Sequence, residues 1–126
     1  MKPLTFGEQI RALRLRNLDY TSLRHFAAKV GLSPAYLSRI ENGKEPPPSE
    51  AIIERLAEAL GADRYELLSL AGRVPSEFFE IFCKNPPRVA SFLRTASRMG
   101  IRQDKDWNHL EKELLGIKKP KEDRDD

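Results

Sequence analysis

Apolar residues recur along this chain at helical spacing. Phe6, Ile10 and Leu13 stand at i, i+4 and i+7, and Leu23, Phe26, Ala27 and Val30 at i, i+3, i+4 and i+7, so each stretch predicts a helix with one apolar stripe. After Gly31, which tolerates positive φ, Ser33 is placed to cap a third helix with Pro34 at its first position, where a missing N–H costs nothing. Leu32 and Leu37 flank that cap as a hydrophobic staple, which fixes the angle at which the chain enters. The third helix is predicted to stop at Gly43, ahead of the stiff run Pro46-Pro47-Pro48. Ser49 then caps a fourth helix that turns Ile52, Ile53, Leu56 and Leu60 inward and stops at Gly61. Asp63 with Glu66 resembles a capping box for a fifth, ending at Gly72.

Further on, Asn85-Pro86 reads as the cap and first residue of a helix with Val89, Phe92, Leu93 and Ala96 on one face and Gly100 as its stop. The apolar run Phe78 to Phe82 fits either a helix starting near Ser76 or a short strand, and helix is the reading adopted. Asp104 or Asp106 caps a last helix carrying Trp107, Leu110, Leu114 and Leu115, with Gly116 at its end. The pattern therefore predicts an all-α protein. A five-helix domain fills residues 1–73 and a helical C-terminal region residues 74–117, followed by a charged tail over 118–126, expected to be disordered.

At 126 residues the chain has room for one small domain and an appendage. Its longest stretch without a charge, Val30 to Ser38, is nine residues. That is far short of the roughly 18–20 apolar residues of a membrane span. With 33% charged residues and no apolar core after Met1-Lys2-Pro3, a cytoplasmic protein without a membrane partner is expected. Cys83 is the single cysteine, and His25 and His109 are scattered, so neither a disulfide nor a metal site is expected. The chain has no glycine-rich phosphate loop and no nucleophile elbow, which argues against an enzyme and against a cofactor. Glu111 and Glu113 read as the wet side of the final helix. Charge adds a direction: residues 1–44 hold eight bases and three acids, a net +5, whereas residues 45–73 are net −3. An anionic partner for the first part is implied.

The segment Phe26-Ala27-Ala28-Lys29-Val30-Gly31-Leu32-Ser33-Pro34-Ala35-Tyr36-Leu37-Ser38-Arg39-Ile40-Glu41-Asn42-Gly43-Lys44 closely resembles the helix-turn-helix signature of the Cro and phage-repressor (XRE-type) family, and the likeness extends over residues 6–72. The resemblance implies a five-helix DNA-binding domain, usually dimeric, whose third helix reads the base edges of a palindromic operator. Residue chemistry points the same way. Arg39 is suited to donate two hydrogen bonds to guanine O6 and N7, Ala35 to touch a thymine methyl, and Ser38 to bond either kind of base. Tyr36, Asn42 and Lys44 at the helix flanks and turn suit phosphate oxygens, as does Ser22 at the start of the second helix with Arg24 nearby. The resemblance also implies that Glu41 pairs with Arg14 of the first helix. Two positions depart from the family: Leu23 stands where glutamine is common, and the connection Leu18-Asp19-Tyr20-Thr21 is longer than usual. Glu45 and the prolines also speak against a basic arm after the third helix.

These readings predict a transcriptional regulator, a repressor first of all, acting on double-stranded DNA as a homodimer held by Phe78, Phe82, Phe92 and Trp107. Two alternatives remain at this stage. One is an antitoxin whose added segment neutralises a toxin. The other is an interaction module that keeps the fold and docks a protein partner through the C-terminal region.

Overall fold

The structure, a computed structural model, describes residues 2–118 together with Pro120 and Lys121. The expectation of a disordered tail falls largely outside the described residues. Among those described there are eight α-helices and no strand: α1 Phe6–Arg16, α2 Leu23–Val30, α3 Pro34–Glu41, α4 Glu50–Leu60, α5 Arg64–Leu70, α6 Ser76–Lys84, α7 Pro86–Arg98 and α8 Asp104–Ile117. A 3-10 turn, Leu18–Tyr20, links α1 to α2. The chain divides into two units, Met1–Phe79 and Glu80–Asp126, and the division falls inside α6.

In the first unit α1 packs on α3, α2 on α3 and α4, and α4 on α5. Their stripes meet in one core, in which Ile10, Phe26, Leu37, Ile53, Leu56 and Leu68 are wholly buried. Each such side chain contributes roughly 1.5–3 kcal/mol by leaving water. Helices of seven to eleven residues need this. Alone, anything under about 12–15 residues is marginal in water, so burial rather than propensity holds them.

The ends of these helices follow side-chain chemistry closely. The Ser33 and Ser49 hydroxyls accept the N–H groups of Tyr36 and Ile52, and Gly31 ends α2 at φ 74°, a left-handed geometry that suits a residue without Cβ. The capping box, however, lies elsewhere than the sequence predicts. Asp63 accepts from the N–H groups of Tyr65 and Glu66, but the Asp63 N–H makes no return bond to the Glu66 carboxylate; the complete box is Thr5 with Glu8. There the Thr5 N–H donates to the Glu8 carboxylate at 3.1 Å and holds its pKa below the ordinary glutamate value. α1 also ends without a glycine, at Asn17 in extended backbone.

The longer connection after α1 is used structurally. Tyr20 stacks obliquely on Phe26 with ring centroids 4.8 Å apart. Gly7 answers a different need: α1 and α3 approach so closely that a Cβ there would collide with the Ile40 carbonyl oxygen and lie 2.9 Å from that of Glu41. The first turn of α6 belongs to this unit as well. The Ser76 N–H donates to both Glu50 carboxylate oxygens at 3.3 Å, and Arg64 bridges Glu54 and Glu77 at 3.1 and 3.0 Å. A hydrogen bond with the Tyr65 hydroxyl raises the Arg64 pKa further above its usual value.

The second unit is built differently. Ala96 is its one buried residue among those described. α6 is helical over the stretch that also fitted a strand. Asn85 occupies the cap position of α7 but its side chain makes no capping bond, and Gly100 follows α7 at φ 73°. Asp104 and Asp106 do not cap α8: the cap position is Gln103, and both carboxylates sit within the first turn, where they suit the positive end of the helix dipole. α8 also runs through Gly116 to Ile117. Glycine in a helix is tolerated at a cost of about 1 kcal/mol relative to alanine.

Candidate nucleic-acid interface

α3 is amphipathic in a way that sorts its residues into two sets. Leu37 and Ile40 point into the core and Glu41 is buried with them. Helical geometry then turns Ala35, Ser38, Arg39 and Asn42 to the other side, where Ala35, Arg39 and Asn42 are exposed and Ser38 half-buried. Ser33 and Pro34 fix where this edge begins. Tyr36 is half-buried and packs against the core, and Lys44 is exposed in the turn after the helix. Ser22 and Arg24 are exposed at the start of α2, with the Ser22 hydroxyl accepting the His25 N–H at 3.2 Å.

Two of these residues engage each other. The Asn42 amide nitrogen donates to the Ser38 carbonyl at 2.9 Å and to its hydroxyl at 3.3 Å. The Ser38 O–H proton stays free to donate outward, and the Asn42 side-chain oxygen remains free to accept. Arg39 is held from a side the sequence did not disclose. Its Nε donates to Glu45 Oε1 at 3.1 Å, and its guanidinium lies 6.0 Å from the Tyr36 ring centroid. The Lys44 and Glu45 N–H groups both reach the Arg39 carbonyl, at 2.8 and 3.3 Å, so the chain folds back over the end of α3.

Behind this edge lies the attachment of α3 to α1. Arg14 and Glu41 are brought together by two parallel bonds, Nε to Oε2 at 2.8 Å and Nη2 to Oε1 at 2.9 Å, with side chains only 6% and 3% exposed. Nη1 donates to the carbonyls of Tyr20 and Thr21, at 3.1 and 2.8 Å. One guanidinium thus ties α1, α3 and the connection between α1 and α2. Sequence reasoning missed three parts of this site: Gly7, the two carbonyls, and Glu45. For Glu45 a signal exists, since a glycine turn after a helix brings the residue six positions on back beside its last turn.

The site on α2 and α3 lacks the carboxylate or histidine clusters of a metal centre, and among the described residues no such cluster forms. Nor is any described helix long and apolar enough to cross a membrane. Comparison with known proteins agrees with the geometry. The helix-turn-helix domain family matches residues 5–70, more than half the chain. The HTH-type transcriptional repressor RghR of Bacillus subtilis (strain 168) is 34% identical over 117 residues, which cover 88% of this chain and 83% of RghR. RghRB, an HTH-type transcriptional regulator of the same organism, is 33% identical over 117 residues, covering 86% and 81%. No solved structure matches. The chain belongs to the XRE-like helix-turn-helix regulator family.

Proposed function

We propose that the protein is a transcriptional repressor that binds a palindromic operator as a homodimer and excludes RNA polymerase from an overlapping promoter. The observation that carries this reading is the outward edge of α3, a polar strip on a helix whose opposite face is locked into the core and bolted to α1 through Arg14. Ala35, Ser38 and Arg39 supply the base contacts. Ser22, Arg24, Tyr36 and Lys44 supply phosphate contacts, which fix register without reading sequence, and Asn42 joins them by turning its amide N–H groups from Ser38 to a phosphate oxygen. RghR, named a repressor, aligns over most of both chains and supports the assignment.

The homodimer rests on the C-terminal helices. Phe78, Phe82, Phe92 and Trp107 are 44%, 38%, 49% and 42% exposed, apolar surface whose burial short helices need for stability. Burying them against a second copy pairs the subunits, and operator reading then requires two α3 helices about 34 Å apart, the repeat of the major groove. Such a complex acts in the cytosol, where the DNA is. An electrophoretic shift on the DNA upstream of the protein's own gene tests the reading. A specific complex is expected to outcompete unrelated duplex and to weaken with salt at a slope of about −0.9 per phosphate contact. Arg39→Ala is expected to weaken it by about 5- to 150-fold. Unchanged affinity in that variant would remove Arg39 from the base contacts.

A further inference from the structure

We propose that Glu45 is a specificity-determining residue, which positions the Arg39 guanidinium so that only its two Nη groups are offered to a base. The proposal rests on the reading of α3 as the base-contacting helix. An arginine side chain has two faces for paired hydrogen bonding: the edge formed by Nε with one Nη, and the end formed by both Nη groups. The contact at 3.1 Å from Nε to Glu45 Oε1 occupies the first. The end is left to pair with guanine O6 and N7, two acceptors side by side in the major groove.

An exposed ion pair alone would be a loose restraint, but Glu45 stands on a stiff support. It precedes Pro46-Pro47-Pro48, which holds its own backbone extended. Pro48 is buried, the Pro47 carbonyl accepts a bond from Arg73 at 3.3 Å, and the Glu45 N–H is returned to the Arg39 carbonyl. The Tyr36 ring flanks the same guanidinium. Glu45 also sets a carboxylate beside a surface meant for phosphates, which weakens binding to DNA of any sequence. Specificity is a difference of affinities, so a residue that lowers the general affinity and narrows the geometry of one base contact raises it twice over.

The test uses the full chain. Binding duplexes are selected from a pool of randomised double-stranded DNA, and affinities are measured for the selected duplex and its single base-pair variants. Unmutated protein, Arg39→Ala, Glu45→Ala and Glu45→Gln are compared. Arg39→Ala should flatten the preference at one base pair, which identifies the pair that Arg39 reads. At that pair Glu45→Ala should lose about tenfold of the guanine preference. It should bind unrelated duplex as tightly as the unmutated protein or more so. Glu45→Gln, whose amide oxygen still accepts from Nε, should restore most of the preference. If Arg39→Ala flattens the preference and Glu45→Ala does not, the positioning role is overturned while α3 remains the reading helix. If Arg39→Ala flattens nothing, the base contact and its positioning fall together.

Discussion

A single arginine carries more of this fold than its charge suggests. Arg14 gives four hydrogen bonds, two to a buried carboxylate and two to backbone carbonyls, so its loss strands Glu41 and two acceptors together. Breaking one member of a buried pair typically costs 3–5 kcal/mol. Arg14→Ala is therefore expected to lose about that much stability in urea unfolding. Arg14→Lys should recover little of it, because a point ammonium cannot meet a forked carboxylate and two carbonyls at once. A melt indistinguishable from the unmutated protein would show that the pair is not what secures α3. The Arg14 and Glu41 partnership was accessible from the sequence only through resemblance, since the two are 27 positions apart. The Tyr20 and Thr21 carbonyls were not, because nothing in a residue's identity reveals where its backbone oxygen will point.

Between elements, the sequence was most informative where a side chain acts on its own neighbourhood. The Ser33 and Ser49 caps and the Gly31 turn are local chemistry and could be placed by inspection. Thr5 caps α1 and Asp63 caps α5, each with a glutamate three residues on, and which glutamate closes its box depended on the backbone geometry that only folding supplies. Gly7 was illegible for a plainer reason: the atoms that forbid a side chain there belong to Ile40 and Glu41. Gly7→Ala would ordinarily strengthen a helix, by about 1 kcal/mol. Here it should instead lower stability by about 1–3 kcal/mol, since α1 must move off α3 to admit one methyl group. Calorimetry that finds a higher melting temperature would refute this close approach. The C-terminal helices were predicted from the same periodicity, yet there the apolar faces found little to cover them, and the ends of α8 drifted from the residues expected to set them.

At the scale of the whole molecule, the two units have different requirements. The first contains a closed core, whereas the second leaves Phe82, Phe92 and Trp107 in contact with water. If a second copy covers them, Phe82→Asp with Phe92→Asp should turn a dimer into a monomer in sedimentation. The reading unit should remain folded and lose operator affinity by the 10²- to 10⁴-fold that tethering two half-site contacts contributes. A monomeric unmutated protein would discard that assembly.

The hold that Glu50 and Arg64 keep on the opening turn of α6 has a practical corollary. Among the described residues, a chain ended after Phe79 keeps that turn's partners and every buried apolar side chain except Ala96. Such a fragment should melt as cooperatively as the parent, while needing far higher concentrations to occupy an operator. Ending the chain at Arg73 instead severs those links, and the shorter piece should be the less durable of the two under limited proteolysis.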